Sequence, residues 1–135
     1  MILLGQNNNI MIKKIVIIFC ISSILFACEP NSDYDHIIIN NCEDIIKVSY
    51  IVRTYPDKES TVIININDQQ MIFRGSILND RVEERLVANW FKKIIVTKGQ
   101  DTSKVNYLDK NLWIMEKISK NKANCYLTVY PEDFE

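Results

Sequence analysis

Asp80-Arg81-Val82-Glu83-Glu84-Arg85-Leu86-Val87-Ala88-Asn89-Trp90-Phe91-Lys92-Lys93-Ile94-Ile95-Val96-Thr97-Lys98 is the stretch on which the fold turns. Val82, Leu86, Val87, Trp90, Phe91, Ile94 and Ile95 recur at three- and four-residue spacing, the pattern that lays an apolar stripe along one side of a helix. Asp80 followed by Glu83 reads as a capping box, with carboxylates where helix N-terminal amides need acceptors. Lys92, Lys93 and Lys98 lie toward the C-terminal end, and Gly99 is a natural stop. The spacing predicts an amphipathic helix over residues 80–98, with Trp90 and Phe91 packing into a core.

On either side of this stretch the period is two. Ile46, Val48, Tyr50 and Val52 alternate with Lys47, Ser49 and Arg53, as in a half-buried strand. After a loop at residues 56–60, Thr61 to Asn67 reads as a second strand with Val62, Ile64 and Ile66 inward. Asn67-Asp68 suits a tight turn, and Gln70 to Gly75, carrying Met71 and Phe73, a third strand. These three form an antiparallel meander on this reading. Residues 100–111 read as polar loop. Leu112 to Ile118 and Ala123 to Tyr130 are strand-like and joined by the hairpin segment Ser119-Lys120-Asn121-Lys122. Ile37 to Ile39 allows one further short strand. The expectation is an α+β fold, β-β-β-α-β-β, with about five antiparallel strands and one amphipathic helix packed on them.

The first 28 residues carry a different signal. Lys13 and Lys14 precede an apolar run from Ile15 to Ala27, 13 residues long. A positive segment before a short apolar one is the layout of a secretory signal, and the run falls short of the about 20 residues that span a bilayer. Its end, Leu25-Phe26-Ala27-Cys28, resembles the lipobox of bacterial lipoprotein precursors, with Phe26 bulkier than is usual there. The resemblance implies a diacylglycerol on the Cys28 thiol, cleavage just before it, and Cys28 as first residue of the mature chain. Residues 1–27 are then signal peptide, with Met11 the better start because Lys13 and Lys14 directly precede the apolar run. Residues 28–36 are expected as lipidated cysteine and flexible tether, and residues 37–135 as a single small domain. Two or more acyl chains hold a protein stably on a membrane. Glu29, rather than Asp, follows Cys28, which by resemblance to enterobacterial sorting favours the outer membrane, on its periplasmic face or exposed at the surface.

Of four cysteines, Cys20 leaves with the signal and Cys28 is lipidated. Export would place Cys42 and Cys125 in an oxidising compartment, where a pair is expected to bond. Such a bridge closes a loop of about 80 residues, worth roughly 4–5 kcal/mol.

Chemistry is sparsely represented. With 16 basic and 17 acidic residues the chain has net charge −1, and loss of Lys13 and Lys14 leaves 14 against 17, so no basic field attracts nucleic acid. His36 is the one histidine and falls in the expected tether, which removes Ser-His and Cys-His designs. Gly5, Gly75 and Gly99 are scattered, forming no phosphate loop, and no metal cluster is legible. Glu83-Glu84, in the first turn of the expected helix, and Asp101 and Asp109, in a loop with Lys104 and Lys110, leave paired-acid hydrolysis as a minor reading. The sequence thus points to a non-catalytic envelope lipoprotein without cofactor or metal that binds a protein partner, an immunity or inhibitor protein being one version. The alternative is an accessory or structural subunit of an envelope complex, for which Tyr50, Tyr55, Tyr107, Tyr126 and Tyr130 are candidate surface aromatics.

Overall fold

The computed structural model describes residues 12–14, 31–78, 81–86 and 88–135. The lipobox Leu25-Phe26-Ala27-Cys28 and its apolar run lie outside the described residues, as do Asp80 and Val87 of the expected helix. The chain divides into two compact units, Met1–Pro30 and Asn31–Glu135. Among the described residues, every strand belongs to the second.

That unit is a sandwich of two four-stranded sheets, not a helix on one sheet. β1 (Asn31–Asn40), β4 (Gln69–Leu78), β7 (Trp113–Ser119) and β8 (Lys122–Val129) form sheet A, in the order β4-β1-β8-β7. β2 (Ile46–Val52), β3 (Glu59–Ile64), β5 (Phe91–Lys98) and the two-residue β6 (Asp101–Thr102) form sheet B, in the order β3-β2-β5-β6. All pairings are antiparallel except β1 with β8. The core is filled from both sheets: Tyr34, Ile38, Leu127 and Val129 from one meet Ile46, Val48, Ile64, Phe91 and Val96 from the other, each at most 1% exposed. Complete burial of one such side chain stabilises by about 1.5–3 kcal/mol.

The expected helix over residues 80–98 does not form. Glu84–Leu86 is one turn of 3-10 helix, and Phe91–Lys98 is a strand paired with β2. The physical reason is a bulge. Ile51 pairs with Lys93 but Val52 with Phe91, so Lys92 is an extra residue. It breaks the alternation, leaving Phe91, Ile94 and Val96 buried at spacings of three and two. A bulged strand thereby imitates helical spacing. Phe91 does enter the core as expected, and Trp90 packs against it half-buried.

The tether assignment is corrected as well. Residues 31–36 open β1, the strand between β4 and β8. Ser32, Tyr34, His36, Ile38 and Asn40 alternate inward and all are fully buried. His36 stands among Phe91, Trp113, Phe73 and Trp90, with ring centroids 5.1, 5.4, 6.0 and 6.3 Å away. It is a core residue and not a solvated linker one.

The expected meander holds only for β2 and β3. The turn after β3, with Asn67 at φ 55°, carries the chain across to sheet A, where β4 pairs with β1. On β4 a second bulge, at Ile72, presents a carbonyl that accepts the Tyr50 hydroxyl of sheet B at 2.7 Å. β7 and β8 form the expected hairpin through residues 119–122.

The expected Cys42–Cys125 bridge is absent. Both are buried free thiols. Cys125 pairs in register with His36, whereas Cys42 lies beyond the end of β1 with its Sγ 3.7 Å from the Val129 carbonyl. Four residues of β8 separate those two points, about 13 Å at strand rise, far beyond the about 7 Å between Cα atoms that a disulfide tolerates. Burial pushes the Cys125 thiol up to about 12 and raises that of Cys42. Neither is therefore a ready thiolate.

Candidate functional site

One end of the sandwich is shaped by Asn40. Its side-chain amide donates to the carbonyls of Asp44 (2.8 Å), Ile64 (3.1 Å) and Asn65 (3.1 Å), and its carbonyl oxygen accepts the Cys42 amide at 2.9 Å. One buried carboxamide thus fixes the loop entering β2 against the turn leaving β3. Beside them, the β5–β6 hairpin turns through Gly99, whose φ of +59° is in the left-handed region that glycine tolerates. Lys98 leans its ammonium over the Phe134 ring, 4.8 Å from the centroid.

Together these segments enclose an open cleft of about 690 Å³. Its apolar lining includes Ile45, Ile63 and Ile66, which are 52, 64 and 48% exposed. Its charged groups are Asp44 and Asp101 on one sign, Lys47 and Lys98 on the other. The three exposed isoleucines share the surface with two acids and two lysines, and Lys47 lies between Ile63 and Thr97 across the sheet, so the cleft is of mixed apolar and charged character.

The acids singled out in the sequence do not gather. Glu83 pairs with Arg85, and its amide is held by the Tyr34 hydroxyl at 2.8 Å. Glu84 is exposed, on a separate cleft of about 470 Å³ that Lys110 also lines. Asp109 accepts the Asn111 amide at 3.0 Å as a helix cap, and Lys104 donates to the Glu135 carbonyl at 3.0 Å. Of these acids only Asp101 lines the isoleucine cleft, which is also lined by Asp44, an acid that no motif in the sequence marks. Among the described residues no three His, Cys, Asp or Glu side chains are grouped as a metal site requires.

Two polar clusters bind the structure together elsewhere. Asp35, on the outer side of β1, accepts Nε and Nη2 of Arg74 at 2.5 and 2.8 Å, with Lys122 3.9 Å away. The Arg74 hydrogen bond holds its carboxyl below the ordinary value. The Tyr107 hydroxyl lies 2.8 Å from Ser103 Oγ and donates to Asp133 at 2.9 Å, clasping the 103–107 loop to the C-terminal turn; burial raises its pKa. Of the five tyrosines considered for a surface, Tyr107 is buried, Tyr50 and Tyr126 half-buried, and Tyr55 and Tyr130 exposed. Tyr50 is on β2, Tyr55 between β2 and β3, Tyr107 in the loop after β6, Tyr126 on β8 and Tyr130 directly after it.

No family model matches the chain, and no curated protein or solved structure matches it either.

Proposed function

We propose that the protein is a non-catalytic lipoprotein of the bacterial envelope, anchored through Cys28, whose sandwich captures a protein partner in the isoleucine cleft. The observation that carries the binding half is the cleft itself, where Ile45, Ile63 and Ile66 are exposed beside Asp44, Asp101, Lys47 and Lys98. Apolar side chains left bare in a concave surface gain most when a complementary side chain excludes water from them. The lipobox and its preceding apolar run support the anchoring half. Immunity to a toxin, or inhibition of a lytic enzyme, is the version in which this capture is the whole activity.

The test is affinity capture from envelope extract with the mature lipidated protein, comparing the natural chain with Ile63→Asp and with Ile114→Asp. Ile114 is 70% exposed on another strand and does not line the cleft. A stoichiometric partner retained by Ile114→Asp and weakened by about tenfold or more in Ile63→Asp is expected, the loss of one interfacial anchor being worth roughly 1.5–2 kcal/mol. A partner indifferent to Ile63→Asp would refute the cleft. If the partner is an enzyme or toxin, its inhibition marks an inhibitor; a larger assembly marks an accessory subunit. Asp44 and Asp101 are the acids a hydrolase would use here, so polymer cleavage lost in Asp44→Asn would replace the binding reading with a catalytic one.

A further inference from the structure

β1 begins at Asn31, so only Glu29 and Pro30 separate the strand from Cys28. Three residue steps reach about 10 Å even when fully extended. If Cys28 carries the lipid, the end of sheet A at which β1 starts is held within that distance of the bilayer.

The surface at this end is suited to that position. Asn31 pairs with Leu78 of one edge strand, which is 72% exposed, and at the same end of the sheet the opposite edge strand β7 carries Ile118 at 49%. Lys117, Lys120 and Arg81 are exposed on the same end, and Lys122 is half-buried there. Of the acids near this end, Asp33 accepts the Ser76 hydroxyl, Glu83 pairs with Arg85, and Asp35 lies 3.9 Å from the Lys122 ammonium. The Asp33 amide donates to Asn121 O at 2.9 Å and the Val82 amide to Lys120 O at 3.0 Å, which ties β1 and residues 81–82 to the turn between β7 and β8.

We propose that this end of sheet A is a membrane-docking surface: Leu78 and Ile118 insert at the interface while Lys117, Lys120, Lys122 and Arg81 contact the anionic phosphates of lipid headgroups. Long basic side chains reaching past apolar ones is how a protein surface settles into an interface. The inference rests on the lipid-anchor reading and adds an orientation to it. β1 runs from the docked end to Asn40 at the isoleucine cleft, about 30 Å away at strand rise, so the cleft faces away from the bilayer.

The experiment uses the mature lipidated chain in phosphatidylcholine vesicles containing phosphatidylglycerol and a headgroup nitroxide lipid. Ile118→Cys and Ile66→Cys are labelled separately with an environment-sensitive fluorophore, which the buried Cys42 and Cys125 do not take up. Quenching several-fold stronger at 118 than at 66 is expected, and Lys117→Glu with Lys120→Glu should reduce it. In the unlipidated Cys28→Ser chain, each of these lysines should contribute about fivefold to vesicle binding at low salt. Equal or reversed quenching at 118 and 66, in protein whose intact mass shows the acyl chains, overturns the docking and leaves the anchor standing. Absence of acyl mass on Cys28 overturns both, and circular dichroism of each variant excludes misfolding as the source of a change.

Discussion

At the scale of single residues, Asn40 joins the loop entering β2 to the turn leaving β3. It is fully buried, and three carbonyls and one amide from two different loops converge on it. Removing the carboxamide leaves the buried carbonyl of Ile64 and the amide of Cys42 without these bonds. Each such group costs about 1–3 kcal/mol. Asn40→Ala should therefore lower stability by roughly 2–4 kcal/mol, seen as a lower urea midpoint at unchanged slope. Asn40→Asp should cost more, because a carboxylate would face the same carbonyl oxygens without a proton to donate. A loss below about 0.5 kcal/mol for Asn40→Ala, the range of an ordinary surface change, would show that the loops hold each other without it. Asn40 also marks where residue-level reading stops. An asparagine ending the run Ile37-Ile38-Ile39 looks like the start of a loop, and only the partners brought by β2 and β3 reveal it as a core residue. His36 was hidden in the same way, since a histidine among Asp33, Asp35 and Asn40 looks solvated until four aromatic rings from β4, β5, β7 and Trp90 close around it.

At the scale of elements, the connection between β4 and β5 decides how the two sheets meet. Gly75 on β4 lies against the Trp90 indole so closely that a Cβ would stand 2.6–2.8 Å from its ring carbons. Trp90 in turn packs on Tyr34 and Phe73, at 5.8 and 6.0 Å between centroids. Gly75→Ala should push the indole off this seat at a cost of about 1–3 kcal/mol, the usual range for overpacking. In a Trp90→Ala background the same substitution should be nearly neutral. A double-mutant cycle by urea denaturation would measure that coupling, and additive effects would mean that the indole relaxes freely. The strands most legible in the sequence were those with clean alternation: β2, β3, β7 and β8 fall close to where Ile46, Ile64, Trp113 and Leu127 place them. β5 was not legible as a strand because Lys92 bulges out and spaces Phe91 from Ile94 by three, a separation that a period count assigns to a helix. Phe91 and Ile94 were nevertheless on the expected apolar stripe and are buried, whereas Ile95, also on it, is 36% exposed and Val96, left off it, is buried. The cleft had no signal at all. Ile45, Ile63 and Ile66 lie on separate segments, and their solvent exposure follows from the turn at Asn67 and the hairpin at Gly99.

At the scale of the whole molecule, the question is where the folded unit begins. Composition places the boundary near Ile37, after the polar run Asn31-Ser32-Asp33-Tyr34-Asp35-His36, whereas the sheet order makes that run half of an interior strand. Without it, β8 loses its parallel neighbour from Lys122 to Cys125 and β4 its partner from Phe73 to Leu78. The core loses Tyr34 and His36, both fully buried, and Trp90 loses the ring beneath it. Deleting one large buried aromatic typically costs 3–5 kcal/mol, while a domain of this size has about 5–15 kcal/mol in total. Loss of Tyr34 and His36, with a row of strand hydrogen bonds, should exhaust that margin. A chain of residues 31–135 should therefore unfold cooperatively and show the near-ultraviolet dichroism of a packed aromatic core. A chain of residues 37–135 should show neither and should be degraded rapidly by added protease. If the shorter chain unfolds with the same urea midpoint as the longer one, β1 is dispensable before Ile37, and the short sequence distance from Cys28 to the folded unit, on which the docking proposal rests, is lost with it.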